Sequence, residues 1–374
     1  MFWRWTNQDF NIRLVDVKNE KYNGLLAGVS IPSSSRAPGV SLAPKTSQTS
    51  ATQASEEALI RGVLDIVTKY LAAWLVKGEE MASFLKTGGH YYKSLDVLKR
   101  KSDQFVRNIG TLRNHMVSAI QRLPQHRSCF NILSVGRGTG KEDMEILKIV
   151  KEELERTQGR DQTMIYNRAI ELNEYACDLY KASVKMLNDQ HIAVDVRCQG
   201  FEEYKERGAK EPDTRFDVIH FTHSIYYLDI KESLSHCIEN ELNANGSLFV
   251  MVGGPDLICL VLDKQRFPDW YGKSNGSVPE SYNAVEKILK FVEEGGWKYE
   301  VFSHEYPIDV TDVFDPESTE GNLLLDFLTH SKNFRGTADE EVVNETLALI
   351  KDLSTIKDGR HFGKLTEYLI FIYK

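Results

Sequence analysis

The sequence predicts an open, doubly wound α/β sheet, and three observations carry that reading. Short apolar runs recur along the chain, helical stretches separate them, and the first run ends in a cluster of glycines. The runs cover residues 130–135, 164–170, 193–197, 216–221 and 247–252. Strands that alternate with helices of this length imply a parallel sheet covered on both faces. Two late runs, 298–304 and 367–373, leave no room for a crossover helix after the last, so they are expected to close the sheet as an antiparallel edge. Amphipathic helices are expected over 91–106 and 112–122, ahead of the first strand, and over 142–153 behind it. In such a sheet a ligand lies beyond the carboxyl ends of the strands.

The bulk properties narrow the function. The 374 residues carry a net charge of −8, with 41% hydrophobic and 27% charged residues, which is ordinary globular composition. That charge offers no basic face for phosphates, so no nucleic-acid partner is expected. No apolar run is long enough to cross a bilayer, and Met1 to Asp9 lacks the apolar core of a signal peptide. The expected location is cytoplasmic, with no membrane partner. Five scattered cysteines show no zinc spacing, so they read as reduced thiols and no metal site is expected. Residues 27–55 are rich in Ser, Thr, Ala and Pro and read as a flexible linker, which makes 1–55 an N-terminal extension. Leu59, Val63, Ile66, Val67, Tyr70, Leu71, Trp74 and Leu75 recur at helical spacing, so 56–87 reads as an amphipathic helix. That helix either packs on the main body or offers a partner surface. Residues 88–374 form the sheet domain.

The chemistry-bearing residues follow the strands. Gly136-Arg137-Gly138-Thr139-Gly140 leaves the first strand and enters a helix; glycines there permit a tight turn and a close backbone approach, beside unpaired helix N–H groups. The spacing is G-x-G-x-G, and position 141 is Lys, so the third glycine of the dinucleotide fingerprint is absent. This disfavours a nucleotide-dependent oxidoreductase and favours a ligand without a pyrophosphate. Glu171 ends the next strand, where an acid can accept both ribose hydroxyls of an adenosine ligand. The fourth strand, 216–221, runs into Thr222, His223, Tyr226 and Tyr227, a loop that opens onto the same edge.

From about Tyr91 to Lys374 the chain resembles the histamine N-methyltransferase family, a branch of the Rossmann-like class I methyltransferases. Ser134 stands where most of the wider class has an acid. Ile219-His220 with Tyr226-Tyr227, Arg266-Phe267-Pro268, and Gly321-Asn322-Leu323-Leu324-Leu325-Asp326-Phe327-Leu328-Thr329 with Asn333-Phe334 beyond match in order. The resemblance implies S-adenosylmethionine as cofactor, held by Gly136, Glu171 and Thr222, with Gly138 in the same loop. It places an adenine-side contact near Glu202, where the family has a serine. Ala176 replaces a cofactor-reaching glutamine. On the substrate side, Gln104 replaces a glutamate, Leu365 an asparagine, and residues 257–262 two tryptophans. Tyr91, Tyr226, Tyr227 and Phe327 keep an aromatic lining, and His223 replaces a glutamine.

The implied partner is a small-molecule amine, methylated on nitrogen in an altered pocket. Such a transfer needs no obligatory acid or base, because an amine lone pair displaces an activated sulfonium methyl in line. Positioning can supply roughly 7–11 kcal/mol, so no residue is assigned as catalytic with certainty. His223 is the candidate to assist deprotonation through water, or else a hydrogen-bonded structural histidine. The alternatives are a catalytically impaired regulatory protein that binds the cofactor on the same fold, and the oxidoreductase.

Overall fold

In the computed structural model the described residues are 11–13, 28–30, 84–85, 87–123, 128–158, 163–208, 214–266 and 284–374. The chain divides into two units, Met1–Val63 and Leu64–Lys374. In the first, β1 (Asn11–Arg13) pairs antiparallel with β2 (Gly28–Ser30). Gly28–Ser30 lies within the stretch expected to be linker. The pairing is made by backbone N–H and C=O groups, which composition does not report. The rest of the expected linker and all but the end of the expected 56–87 helix lie outside the described residues.

The second unit holds the sheet. Its strands are β3 (Cys129–Val135), β4 (Met164–Glu171), β5 (Ile192–Cys198), β6 (Phe216–Thr222), β7 (Leu242–Gly253), β8 (Lys298–Asp309), β9 (Ser354–Lys357) and β10 (Arg360–Tyr373). They are ordered β5-β4-β3-β6-β7-β10-β8, with β9 pairing β10. The first five are mutually parallel. The order reverses beside β3, which is the switch point where a doubly wound sheet opens a crevice. The expected Rossmann-like architecture is therefore present. The closing antiparallel pair is present too, with β10 inserted between β7 and β8 and antiparallel to both, so the C-terminal strand lies inside the sheet.

Alternate residues of each strand face opposite layers. Leu133, Val135, Ile219, Phe221, Leu248 and Val250 pack in one core cluster, while Ile132, Val218, Phe249, Met251 and Phe371 pack in another. Every residue of β6 is buried, as expected for a central strand covered on both sides. The covering helices include α1 (Gly89–Arg100), α2 (Gln104–Gln121), α3 (Lys141–Gln158) and α4 (Glu174–Leu187). The helix expected over 91–106 is broken at 101–103, because Lys101 O accepts a hydrogen bond from Asp309 N and Ser102 bridges Ile308. Pairing with β8 outweighs the local helical periodicity there. Further along come α5 (Phe201–Gly208), α6 (Ile230–His236), α7 (Leu257–Arg266), α8 (Ala284–Glu294) and α9 (Thr319–Thr329).

A third apolar cluster, including Val97, Leu98, Leu257, Val261, Tyr306, Leu324, Phe327 and Leu365, joins α1, α7, α9 and the last two long strands. No helix among the described residues is long and apolar enough to cross a membrane.

Gly140 shows how tightly the first turn is built. Its φ is +78°, and a Cβ there would lie 2.4 Å from the Tyr180 ring. Gly140→Ala therefore combines backbone strain with overpacking, and is expected to destabilise the protein by about 2–5 kcal/mol. A denaturant midpoint equal to that of the unmodified protein would show that the turn tolerates a side chain.

Candidate functional site

The glycine turn is held from below. Gly136 N donates to Ile170 O at 2.7 Å, and Gly136, Gly138 and Gly140 all have positive φ. Arg137 turns inward and pairs with Asp143 in the first turn of α3, both buried. Above this turn the Glu171 carboxylate lies across the loop. Its Oε2 accepts from Gly138 N at 2.6 Å and its Oε1 from Asn173 N at 2.8 Å. Burial raises the Glu171 pKa, and the backbone donors at Asn173 and Gly138 oppose that shift.

Thr222 ends β6 next to β3, with its Oγ1 3.5 Å from His220 Nδ1. Gly136, Gly138, Glu171 and Thr222 thus meet beyond the carboxyl ends of adjacent strands. Glu202, at the start of α5 beyond β5, pairs with Lys205 at 2.5 Å and is 41% exposed. Ala176 is buried in α4, its N–H accepted by Asn173 Oδ1 at 3.2 Å. Three residues of this region escaped the sequence reading. Tyr92 lies against the loop, its hydroxyl 3.3 Å from where a Cβ on Gly138 would sit. Leu172 is 69% exposed directly after Glu171, and Tyr175 is exposed one turn further on.

The aromatic residues converge on the same edge. Tyr91 on α1 meets Tyr92 and, from α9, Phe327 at ring distances of 5.1 and 5.9 Å, and it hydrogen-bonds Tyr227. Tyr226 and Tyr227 pack at 4.6 Å. Leu257 and Leu262, in the stretch where the resemblance implied tryptophans, are buried at the start of α7, and Leu365 is fully buried in β10. His223 has φ +54°, a backbone conformation that a non-glycine residue rarely adopts. Its N–H donates to Met251 O at 2.9 Å, and its side chain is about 30% exposed.

The structure adds an acid that the sequence reading passed over. Glu367 in β10 is 1% exposed. Its Oε2 accepts from Gln104 Nε2 at 3.3 Å, Asn108 Nδ2 at 3.5 Å and Tyr306 OH at 3.2 Å, and lies 3.5 Å from His223 Nε2. Gln104 and His223, far apart in sequence, therefore share one carboxylate. The available signal was a lone acid between Leu365 and Leu369 on the buried face of an apolar strand.

The same geometry explains the most distinctive sequence block. Asp326 Oδ1 accepts from Phe334 N at 2.9 Å, while its Oδ2 accepts from Asn333 N and meets His90 Nε2, each at 2.8 Å. It ties the Asn333-Phe334 turn and α1 to α9. Gly321 packs so closely that a Cβ would lie 1.9 Å from Asp312 O.

No protein-family model matches the chain. Carnosine N-methyltransferase 2 of Gallus gallus is 28% identical over 244 residues, which is 63% of this chain and 71% of that protein. Histamine N-methyltransferase of Cavia porcellus is 25% identical over 279 residues, 73% of this chain and 90% of that protein. The Danio rerio enzyme of the same name is 25% identical over 275 residues, 72% and 90% of the two chains. The chain resembles the histamine N-methyltransferases. The likeness expected from the Asp-Phe-Leu-Thr block is thus borne out across most of the chain.

Burial raises the Glu367 pKa to about 8. An unfolded Glu titrates near 4.3, so between these values the folded state binds the extra proton and stability falls as pH rises. Asp256, raised by burial to about 7, acts in the same sense below that pH. His223, lowered by burial to about 4, acts in the opposite sense between about pH 4 and 6.5. Between about pH 7 and 8 Glu367 carries most of the remaining titration, while Asp256 completes its own. Through Glu367 the unfolding free energy is expected to fall by about 1 kcal/mol over that unit, and Glu367→Gln to remove most of the slope. An unchanged slope in the variant, measured by urea titration, would mean that Glu367 is already ionised in the folded protein.

Proposed function

We propose that the chain binds S-adenosylmethionine and methylates a nitrogen of a small amine in the neighbouring aromatic pocket. The observation that carries this reading is the 2.6 Å hydrogen bond from Gly138 N–H to Glu171 Oε2, which sets a buried carboxylate across a bare glycine turn at the switch point of the sheet. The residues present fit such a group. Each Glu171 oxygen accepts one backbone N–H and retains a lone pair for a ribose hydroxyl. Leu172 and Tyr175 offer apolar surface beside that carboxylate for a heterocyclic base, with Glu202 on the same side. Lys141 begins α3 where a dinucleotide fingerprint has its third glycine, so a pyrophosphate is poorly served.

When bound, S-adenosylmethionine supplies a methyl carbon already activated by its sulfonium. The chain's own task is to hold and aim the amine. Tyr91, Tyr226, Tyr227 and Phe327 surround a position beyond Thr222 where aromatic faces attract a cation and exclude water. His223 is neutral near pH 7 because burial pulls its pKa down to about 4, so it does not repel a cationic amine. It is correspondingly too weak a base to deprotonate an alkylammonium by itself. N-methylation is supported by the histamine and carnosine N-methyltransferases that the chain resembles. Because Gln104, Leu365 and residues 257–262 stand where the family carries a glutamate, an asparagine and two tryptophans, a bulkier or more apolar amine than histamine is favoured.

Calorimetry with S-adenosylmethionine tests the cofactor half. Glu171→Ala removes two charge-assisted hydrogen bonds of about 1.5–3 kcal/mol each, so affinity is expected to fall at least tenfold. Equal affinity in the variant would take Glu171 out of the site. For the transfer itself, a panel of histamine, phenethylamine and indole-ethylamine substrates is incubated with cofactor and read by mass spectrometry for the gain of one methyl. Histamine emerging as the best substrate would refute the pocket reading. Cofactor binding with no methylated product would favour a regulatory protein on the same fold.

A further inference from the structure

Glu367 is placed as a binding group without a partner. It projects from an internal strand, flanked in register by Gly253 of β7 and His304 of β8, and is 1% exposed. Three donors, Gln104 and Asn108 from α2 and Tyr306 from β8, all address Oε2 at 3.2–3.5 Å. Oε1 has no hydrogen-bond partner among the described residues, and neither has the buried Nε2 of His223. Among the described residues no lysine or arginine pairs with Glu367; the single ion-pair distance is to His223 Nε2 at 3.5 Å. A buried carboxylate with an idle oxygen and no counter-ion is costly to keep, and a glutamine or leucine would serve the fold better. Tyr226 of the aromatic pocket lies within electrostatic reach of it.

We infer that Glu367 is the specificity-determining residue that receives the protonated nitrogen of an alkylammonium substrate, the cation donating N–H to Oε1. This deepens the proposed function and rests on it. The groups facing Glu367 are Gln104 and Asn108 from α2, His304 and Tyr306 from β8, His223 and Tyr226 from the segment after β6, Asp256 ahead of α7 and Cys259 on α7. None of them is a permanent cation. Burial keeps the free carboxyl protonated up to about pH 8, so binding an ammonium near pH 7 expels the carboxyl proton to solvent. In the bound state the ammonium keeps its own protons and an ion pair forms; transfer to this nitrogen then needs one N–H proton to pass to Glu367 Oε1, which frees the lone pair and restores the neutral carboxyl. Binding therefore strengthens as pH rises, up to tenfold per unit below about pH 8, and levels off above it.

The test uses the full chain with S-adenosylhomocysteine bound, titrated with phenethylamine and with its uncharged analogue phenethyl alcohol at pH 6, 7 and 8. Calorimetry in buffers of different ionisation enthalpy counts the protons released. For the unmodified protein we expect phenethylamine to bind at least tenfold tighter than the alcohol at pH 8, and to release nearly one proton at pH 6. In Glu367→Gln the preference, the pH dependence and the proton release should all be lost, while S-adenosylhomocysteine affinity is retained. Gln104→Leu keeps the acid but removes a donor to it, so the pH midpoint should move upward; this variant keeps the test decisive if Glu367→Gln does not fold. A pH dependence that survives Glu367→Gln but vanishes in Asp256→Asn would overturn the assignment in favour of Asp256. Equal binding of amine and alcohol by the unmodified protein would overturn it outright. Failure to bind S-adenosylhomocysteine at all would refute the proposed function instead.

Discussion

One buried ion pair, Arg137 with Asp143, governs the carboxyl edge of the sheet. Burying two charges is unfavourable unless their remaining hydrogen-bonding capacity is met; four further elements meet that of Asp143, directly or through Asn167, while Arg137 Nη2 has no hydrogen-bond partner among the described residues. Asp143 accepts from Tyr180 OH of α4 at 2.6 Å and from Asn167 Nδ2 of β4 at 3.4 Å. Asn167 Oδ1 accepts from Ser134 Oγ of β3 at 2.8 Å, and that oxygen lies 2.8 Å from His220 Nε2 of β6. Burial, then the Arg137 charge, keeps His220 far below the usual histidine range, so it enters the network as a neutral ring. The glycine turn is thereby pinned to β3, β4, β6, α3 and α4 at once, and its upper side is left free for Glu171.

The same network gives Ser134 a physical reason. Ser134 hydrogen-bonds toward Asp143 as well, so the acid of this layer is already supplied by α3. A second carboxylate at position 134 would meet Asp143 across a water-free interior, where like charges are strongly penalised. A neutral hydroxyl, able both to donate and to accept, satisfies Asn167 and His220 together.

The insertion of β10 between β7 and β8 has a different consequence. It carries Glu367 to an internal strand one place from the sheet edge, opposite α2. Asp256 helps to hold that arrangement: its Oδ2 accepts from Thr366 N at 3.0 Å while its Oδ1 accepts from Ile258 N at 3.0 Å, tying β10 to the start of α7. An acid on α2, at position 104, and an acid on β10 would face one another. The chain has Gln104 against Glu367, one amide and one carboxyl, so the donor of the amide can meet the acceptor of the acid.

The alternation of apolar runs with helical segments determined the α/β class, because the two periodicities are local and each strand buried on both faces must be apolar throughout. Gly136 to Gly140 and Glu171 were legible for a related reason: positive φ is a demand on single residues, and an acid closing an apolar strand stands out against its neighbours. Asp326 stands in a legible motif, but its role comes from the fold, where its carboxylate takes Asn333 N–H, Phe334 N–H and His90. Tertiary structure alone decided the break between α1 and α2, the position of β10 within the sheet, and the meeting of Gln104, Asn108, His223, Tyr306 and Glu367. Those outcomes arise from backbone pairing and buried hydrogen bonds between segments far apart in the chain, and separation of that kind leaves no trace in local composition or spacing.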